Sequence, residues 1–161
     1  MTDASRSIEN LQKALAMEMT AIHQYLLHAH VLEDWGLDLL AAKMREEMNE
    51  ELGHASRFID RILFLDGNPR IEAARPPKRA EALNDLFAAD LQEEKGAIAF
   101  YSQAAMAADE DRDIGTRILF EAIVLDEEGH KDWLARQLGL LERMGEPTYM
   151  AQNMSDGSKA G

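Results

Sequence analysis

Apolar residues recur at three- and four-residue spacing through four long stretches of this chain, the pattern of helices that bury one face. The first covers about 7–33, with Ile8, Leu11, Leu15, Ile22 and Leu26; the second covers about 37–65, with Leu39, Leu40, Met44, Phe58 and Ile62. A third runs over about 83–108 and a fourth over about 114–144. No stretch alternates with the period of two that a half-buried strand needs. Away from the ends of the helical stretches, the breakers are Gly53, Gly96, Gly129 and Gly139. The pattern predicts an all-α chain.

The connections differ in kind. The first two helices meet at Asp34-Trp35-Gly36, and the last two at the acidic run 109–113. Both are short, so each pair is expected to form an antiparallel hairpin. Between the hairpins lies about 66–82, with Gly67, Asn68, Pro69, Pro76 and Pro77, and those prolines cannot sit in a continuing helix. A helix of about 28 residues is roughly 42 Å long, and a linker of about 17 residues reaches roughly 55–60 Å when extended. The linker is therefore long enough to cross over the full length of a four-helix bundle. After Gly145-Glu146-Pro147, the segment 146–161 has room for a short fifth helix and a polar, mobile tail, SDGSKAG. The whole, 1–161, reads as one domain.

Composition narrows the function. With 30 Asp and Glu against 17 Lys and Arg, the net charge is −13. That balance argues against nucleic-acid binding, which needs cations at the phosphates, and it suits a surface that concentrates cations. No window approaches a membrane span, and the N-terminal MTDASRSIENLQ lacks a basic patch followed by an apolar run. There is no cysteine, which excludes disulfides, thiolate metal sites and Cys nucleophiles. These features predict a cytoplasmic protein.

The chemistry lies in two copies of Glu-x-x-His, Glu51-Leu-Gly-His54 and Glu127-Glu-Gly-His130. On a helix, residues three apart share a face, so both side chains of each pair can reach one metal. Upstream, Glu18 precedes Glu51 by 33 residues, and Glu94 precedes Glu127 by the same 33. Partners at one height in an antiparallel hairpin are equidistant from the turn. The midpoints fall near Trp35 and near Asp111, inside the two predicted turns. Each hairpin therefore presents a lone Glu and a Glu-x-x-His at matching heights, with Leu15, Ile98 and Leu125 expected as apolar neighbours. Four carboxylates converging inside a bundle repel one another and lose solvation. They must either take up protons or bind cations. Two divalent ions supply the four positive charges, with two neutral imidazoles completing the donor set. Oxygen with some nitrogen and no sulfur suits iron or manganese.

These residues resemble the di-iron carboxylate centre of the ferritin-like proteins. The words AIHQYLLHAHVLEDWGL, EELGHASRFIDRILFLDGNP and DEEGHKDWL are similar to bacterioferritin, and the resemblance covers nearly the whole chain. A second Glu-x-x-His separates it from animal-type ferritins, and the absence of cysteine separates it from rubrerythrins. The resemblance implies a ferritin-like bundle with two iron ions per subunit, and ferroxidase activity on Fe²⁺ with O₂ or H₂O₂. Ferric mineral would be stored inside a hollow homo-oligomer of 24 subunits built from two-fold dimers. Glu18 and His54 would be terminal ligands of one iron and Glu94 and His130 of the other, with Glu51 and Glu127 bridging. Tyr25, seven residues after Glu18, corresponds to the family's tyrosine near the centre, a source of a hydrogen bond or an electron. Glu46 and Glu50, four apart, would face the cavity and pass iron inward.

One position departs from the family. Bacterioferritins hold haem across the dimer two-fold through a Met between the Glu and Gly of the first Glu-x-x-His. This chain has Leu52 there, which offers iron no donor atom. Met48 and Met19 lie nearby in sequence and read as core or interface fillers. The expectation is a chain without its haem ligand, fitting a subunit specialised for iron oxidation and mixed with haem-carrying paralogues. Two alternatives stay open at this stage: a di-manganese peroxide-destroying bundle on the same ligands, and a structural helical bundle lacking metal.

Overall fold

In the computed structural model, residues 4–155 are described, and they form five helices with no strand among them. These are α1 (Ser5–Asp34), α2 (Asp38–Phe64), α3 (Leu83–Glu110), α4 (Ile114–Met144) and α5 (Glu146–Gln152). The tail beyond Ser155, expected to be mobile, lies outside the described residues, as do the first three residues of the N-terminal stretch.

Three of the helices stop in the same way. After α1, the amide of Gly36 donates to Glu33 O and that of Leu37 to Leu32 O, both at 2.9 Å. This paired closure needs one left-handed residue, which is Gly36 at φ +82°. After α2 and α3 the same two bonds recur around Asp66 (φ 61°) and Arg112 (φ 60°). At the start of α4, Asp113 caps the helix by accepting from Thr116 N at 3.2 Å. Arg61, from the last turn of α2, donates to Asp113 Oδ1 at 2.6 Å and to Thr116 Oγ1 at 3.0 Å. A Cβ on Gly115 would sit 2.5 Å from the Arg61 guanidinium, so glycine here leaves that guanidinium the room it occupies. The two hairpins are thereby fastened at one end.

The crossover lies along α1. Gln12 accepts from Arg70 N at 2.9 Å and donates to Arg70 O at 2.7 Å. Gln24 makes the same pair of bonds to Lys78, both at 2.9 Å. Between them Thr20 Oγ1 accepts from Ala74 N at 2.9 Å. The strap thus runs parallel to α1, which returns the chain to the other end and lets α3 descend antiparallel to α1. Beneath it the Gln24 amide lies 2.9 Å from His28 Nε2, and His28 Nδ1 lies 3.2 Å from Asp90. That pair is buried.

Two apolar clusters fill the bundle. One contains Leu32, Leu40, Met44, Phe87, Leu134 and Tyr149, and the other Leu11, Leu15, Phe58, Tyr101, Phe120 and Ile123. Helix α5 closes the first cluster: Tyr149 packs edge-on to Phe87 at 6.1 Å and donates to Gln137 Oε1 at 2.7 Å. The buried carboxylates and imidazoles of Glu18, Glu51, His54, Glu94, Glu127 and His130 share the interior with these clusters. Three apolar expectations fail: Leu26, Leu39 and Leu125 are 44%, 51% and 69% exposed. The buried stripe of α4 runs Phe120, Ile123, Glu127, His130, Leu134, and Leu125 falls two residues off it. Leu125 therefore lines an open cavity beside His130 instead of the buried interior, whereas Leu15 is fully buried and Ile98 half-buried.

Candidate metal centre

Each hairpin delivers three ligand-type side chains to mid-bundle. Because a Glu and a His three apart share a helix face, α2 supplies Glu51 and His54, and α4 supplies Glu127 and His130. Helix α1 adds Glu18 and α3 adds Glu94. All six are at most 6% exposed.

They gather into two overlapping groups. Ligand atoms of Glu18, Glu51, His54 and Glu127 lie within 4.8 Å of one another, and so do those of Glu51, Glu94, Glu127 and His130. His54 Nδ1 is 2.9 Å from Glu127 Oε1 and 3.6 Å from both Glu18 Oε1 and Glu51 Oε1. His130 Nδ1 is 3.2 Å from Glu51 Oε1, 3.7 Å from Glu127 Oε2 and 3.8 Å from Glu94 Oε1. The two carboxylates common to both groups, Glu51 and Glu127, lie between the imidazoles.

Every one of the six residues carries one buried polar atom without a hydrogen bond: Glu18 Oε2, Glu51 Oε1, His54 Nδ1, Glu94 Oε2, Glu127 Oε1 and His130 Nδ1. Such atoms are costly to leave unmet. Six donors from six residues, all in one cluster, fit a pair of bound cations.

The outer imidazole nitrogens and the second oxygens of Glu18 and Glu94 are engaged, mostly by residues that ligand spacing does not reveal. His54 Nε2 lies 3.0 Å from Asp126 Oδ2, and His130 Nε2 lies 2.5 Å from Glu50 Oε2 and 2.8 Å from Glu47 Oε2. A carboxylate on Nε2 keeps the proton there and turns the Nδ1 lone pair inward. Tyr25 Oη donates to Glu94 Oε1 and Tyr101 Oη donates to Glu18 Oε1, each at 2.7 Å. Burial, and then the surrounding carboxylates, raise both phenols well above the usual range, so both stay protonated donors.

A repeat was available to find these residues. Glu18, Tyr25, Glu50, Glu51 and His54 recur 76 residues later as Glu94, Tyr101, Asp126, Glu127 and His130. The expected cavity stripe of Glu46 and Glu50 divides: Glu50 binds His130, while exposed Glu46 pairs with Lys43 at 3.2 Å. Lys43 also contacts Glu47 at 2.7 Å and lies over the Trp133 ring. Leu52 sits on the outer face of α2, 53% exposed. Met19 and Met48 are half-buried against the two apolar clusters.

Without a cation, the cluster holds protons. Burial first, and then Glu18, raise the Glu51 carboxyl well above its ordinary value; burial and then Glu127 do the same to Glu94. Burial lowers His54, but Glu127 and Glu18 overcome it and lift the imidazole to about 10. His130 is raised in the same way, by Glu127, Glu47 and Glu51 against burial. Glu127 is held low: burial opposes this, but Glu94 and the two imidazoles beside it prevail.

The ferritin-like domain family matches residues 8–144. The bacterioferritin of Rhodobacter capsulatus is 40% identical over 153 residues, 95% of each chain. That of Brucella melitensis is 38% identical over 160 residues, 99% of each. Among solved structures, a Rhodobacter capsulatus bacterioferritin with a metal-free dinuclear site and a haem iron on a crystallographic special position superposes with a TM-score of 0.93. It is 40% identical and covers 98% of each chain. Mycobacterium tuberculosis BfrA gives a TM-score of 0.92 at 36% identity, covering 96% of this chain and 98% of that one. Fold, twin Glu-x-x-His hairpins and near-full-length similarity agree, and the chain belongs to the bacterioferritin family of ferritin-like proteins.

Proposed function

We propose that this chain is an iron-storage subunit with ferroxidase activity, oxidising Fe²⁺ at the buried Glu/His cluster with O₂ or H₂O₂. The observation that carries the reading is the set of six orphaned donor atoms, one on each of six buried residues. Glu18 and His54 serve one metal and Glu94 and His130 the other, with Glu51 and Glu127 shared. Two irons held together supply one-electron steps in pairs to a two-electron oxidant. The protein's part is to fix the donors. Asp126 and Glu50 orient the imidazoles from behind, and Tyr25 and Tyr101 anchor the outer carboxylates. Apolar clusters on either side limit water. The subunit is proposed to build a closed shell of 24 copies from two-fold dimers, alone or with a haem-binding paralogue. Leu52 leaves such a dimer without a thioether for haem.

Glu127→Ala is the test, because it removes a shared donor without touching a cap or the apolar stripe. Rapid Fe²⁺ oxidation should fall to the uncatalysed rate while the helical content and assembly state stay unchanged. Oxidation that remains fast sinks the assignment. Manganese rather than iron in the protein as purified would favour a peroxide-destroying role for the same ligands.

A further inference from the structure

The two tyrosines at the centre are equivalent by construction. Tyr25 follows Glu18 by seven residues and Tyr101 follows Glu94 by seven, and each reaches across to the other hairpin's glutamate. The phenol oxygens lie 2.7 Å from Glu94 Oε1 and Glu18 Oε1, and the rings are 3% and 1% exposed. The two arms match further out: Glu18 Oε1 is 3.6 Å from His54 Nδ1, and Glu94 Oε1 is 3.8 Å from His130 Nδ1. The Tyr101 ring has no room to swing aside, with Phe58, Phe120 and Phe100 at 5.6, 5.8 and 6.1 Å.

Each glutamate is thereby divided. One oxygen accepts the phenol hydrogen bond, while the other, Oε2, is buried with no partner. A cation drawn to Oε2 satisfies it. A cation also drawn to Oε1 would withdraw the electron density that the phenol hydrogen bond uses, so the two compete for that oxygen. We propose that Tyr101 and Tyr25 are a matched pair of positioning residues, each restricting the terminal carboxylate it binds to one-oxygen metal donation. Both metals then have four protein donors, one His, one terminal Glu and the two shared Glu, and keep positions free for the oxidant. This inference rests on the metal-centre reading above.

Removing a phenol predicts its own consequence. In Tyr101→Phe the ring volume stays, but Glu18 Oε1 is left buried without a donor. The bound cation is then its available partner, so Glu18 moves to two-oxygen donation. The probe is Co²⁺, loaded without oxygen into the full-length chain, with metal content and visible absorption read together. Four-coordinate Co²⁺ absorbs strongly and higher coordination weakly. The parent, Tyr101→Phe, Tyr25→Phe and the double variant should all bind two Co²⁺ per chain at the centre, matching the two fully buried groups that the six central residues form. Band intensity should fall by roughly half in each single variant and further in the double variant, because geometry sets the spectrum. An unchanged band in either single variant with both Co²⁺ bound overturns the proposal. Loss of a Co²⁺ from either single variant overturns it too, since the phenol would then sustain the site and not its coordination mode. A parent that binds fewer than two Co²⁺ overturns the metal-centre reading instead. Should Tyr101→Phe fail to fold, Tyr25→Phe carries the same test on Glu94.

Discussion

Protons and metal ions compete for the same atoms at the centre, and pH sets which of them prevails. His54 is lifted to about 10, and His130, Glu51 and Glu94 are also raised. A group whose folded value is raised stabilises the fold below its unfolded value and loses that contribution as pH climbs through the folded one. For His54 the window runs from the ordinary imidazole value of 6.5 to about 10. Across it the metal-free fold should weaken, while the protons that metal displaces are released at ever lower proton activity. Binding of Co²⁺ or Zn²⁺ near neutral pH should therefore release protons. The rise in melting temperature caused by metal should be larger at about pH 8 than at about pH 6. Calorimetry in buffers of different ionisation enthalpy, with paired melts, measures both. Binding with no proton release would contradict the picture of a proton-holding apo centre. Spacing alone makes the six ligands legible at this scale, because a helix converts sequence separation into a face. Asp126, Glu47 and Tyr101 were not read from it, because each acts from a helix packed against its target.

Helix ends set how accurately those faces meet. Both hairpin turns close through the same pair of backbone bonds, but one uses Gly36 and the other Arg112 in the left-handed region. A glycine signals such a stop in a sequence, whereas an arginine does not. Asp113 carries more than its own cap, since it accepts from Thr116 N and also from Arg61 at the far end of α2. Burial would raise its carboxyl, but Thr116, Ser7 and Arg61 hold it below the ordinary value. Asp113→Ala should cost about 0.5–2 kcal/mol, the range for losing an N-cap. At this chain length that lowers the melting temperature by about 2–4 °C per kcal/mol. Thermal and urea unfolding would measure the loss, and an unchanged midpoint would mean that Arg61 and Thr116 hold the junction without it.

Over the whole molecule, the antiparallel arrangement follows from one constraint. Helices α2 and α3 run in the same direction, so the chain between them must travel the bundle's length, and Gln12, Thr20 and Gln24 bind it along α1. No described helix is long and apolar enough to cross a membrane. The outer face of the first hairpin is apolar for its own reason. Leu26, Leu52 and Leu63 are about half exposed, and Met19, Ile22 and Ile59 are half-buried. Positions 52, 59 and 63 share one face of α2, and 19, 22 and 26 share one face of α1. A face of this kind suits a second copy of the chain. If the haem seat lies on that face, Leu52→Met should bind about one haem per pair of subunits, because the volume is conserved and only the donor is new. The parent chain should show no Soret band. Stoichiometric haem in the parent would refute this, and a colourless Leu52→Met would mean that the seat itself has changed.

By itself the sequence determined which residues share a helix face and how far each stands from its turn. That was enough to put Glu18 with Glu51 and His54, and Glu94 with Glu127 and His130, because both follow from helical periodicity and chain connectivity. It did not decide which apolar residues face inward. Leu26 and Leu39 fit a three- and four-residue pattern and Leu125 lies two residues from Glu127, yet burial depends on where the neighbouring helices stand. Nor did it decide what each donor leans on. Asp126 behind His54, Glu50 and Glu47 behind His130, and Tyr101 against Glu18 are contacts between hairpins. Their distances are set by how two helix pairs pack, which no local rule contains. Only the folded bundle brings these carboxylates and phenols to the atoms they hold, and so leaves one unmet donor on each of the six residues at its centre.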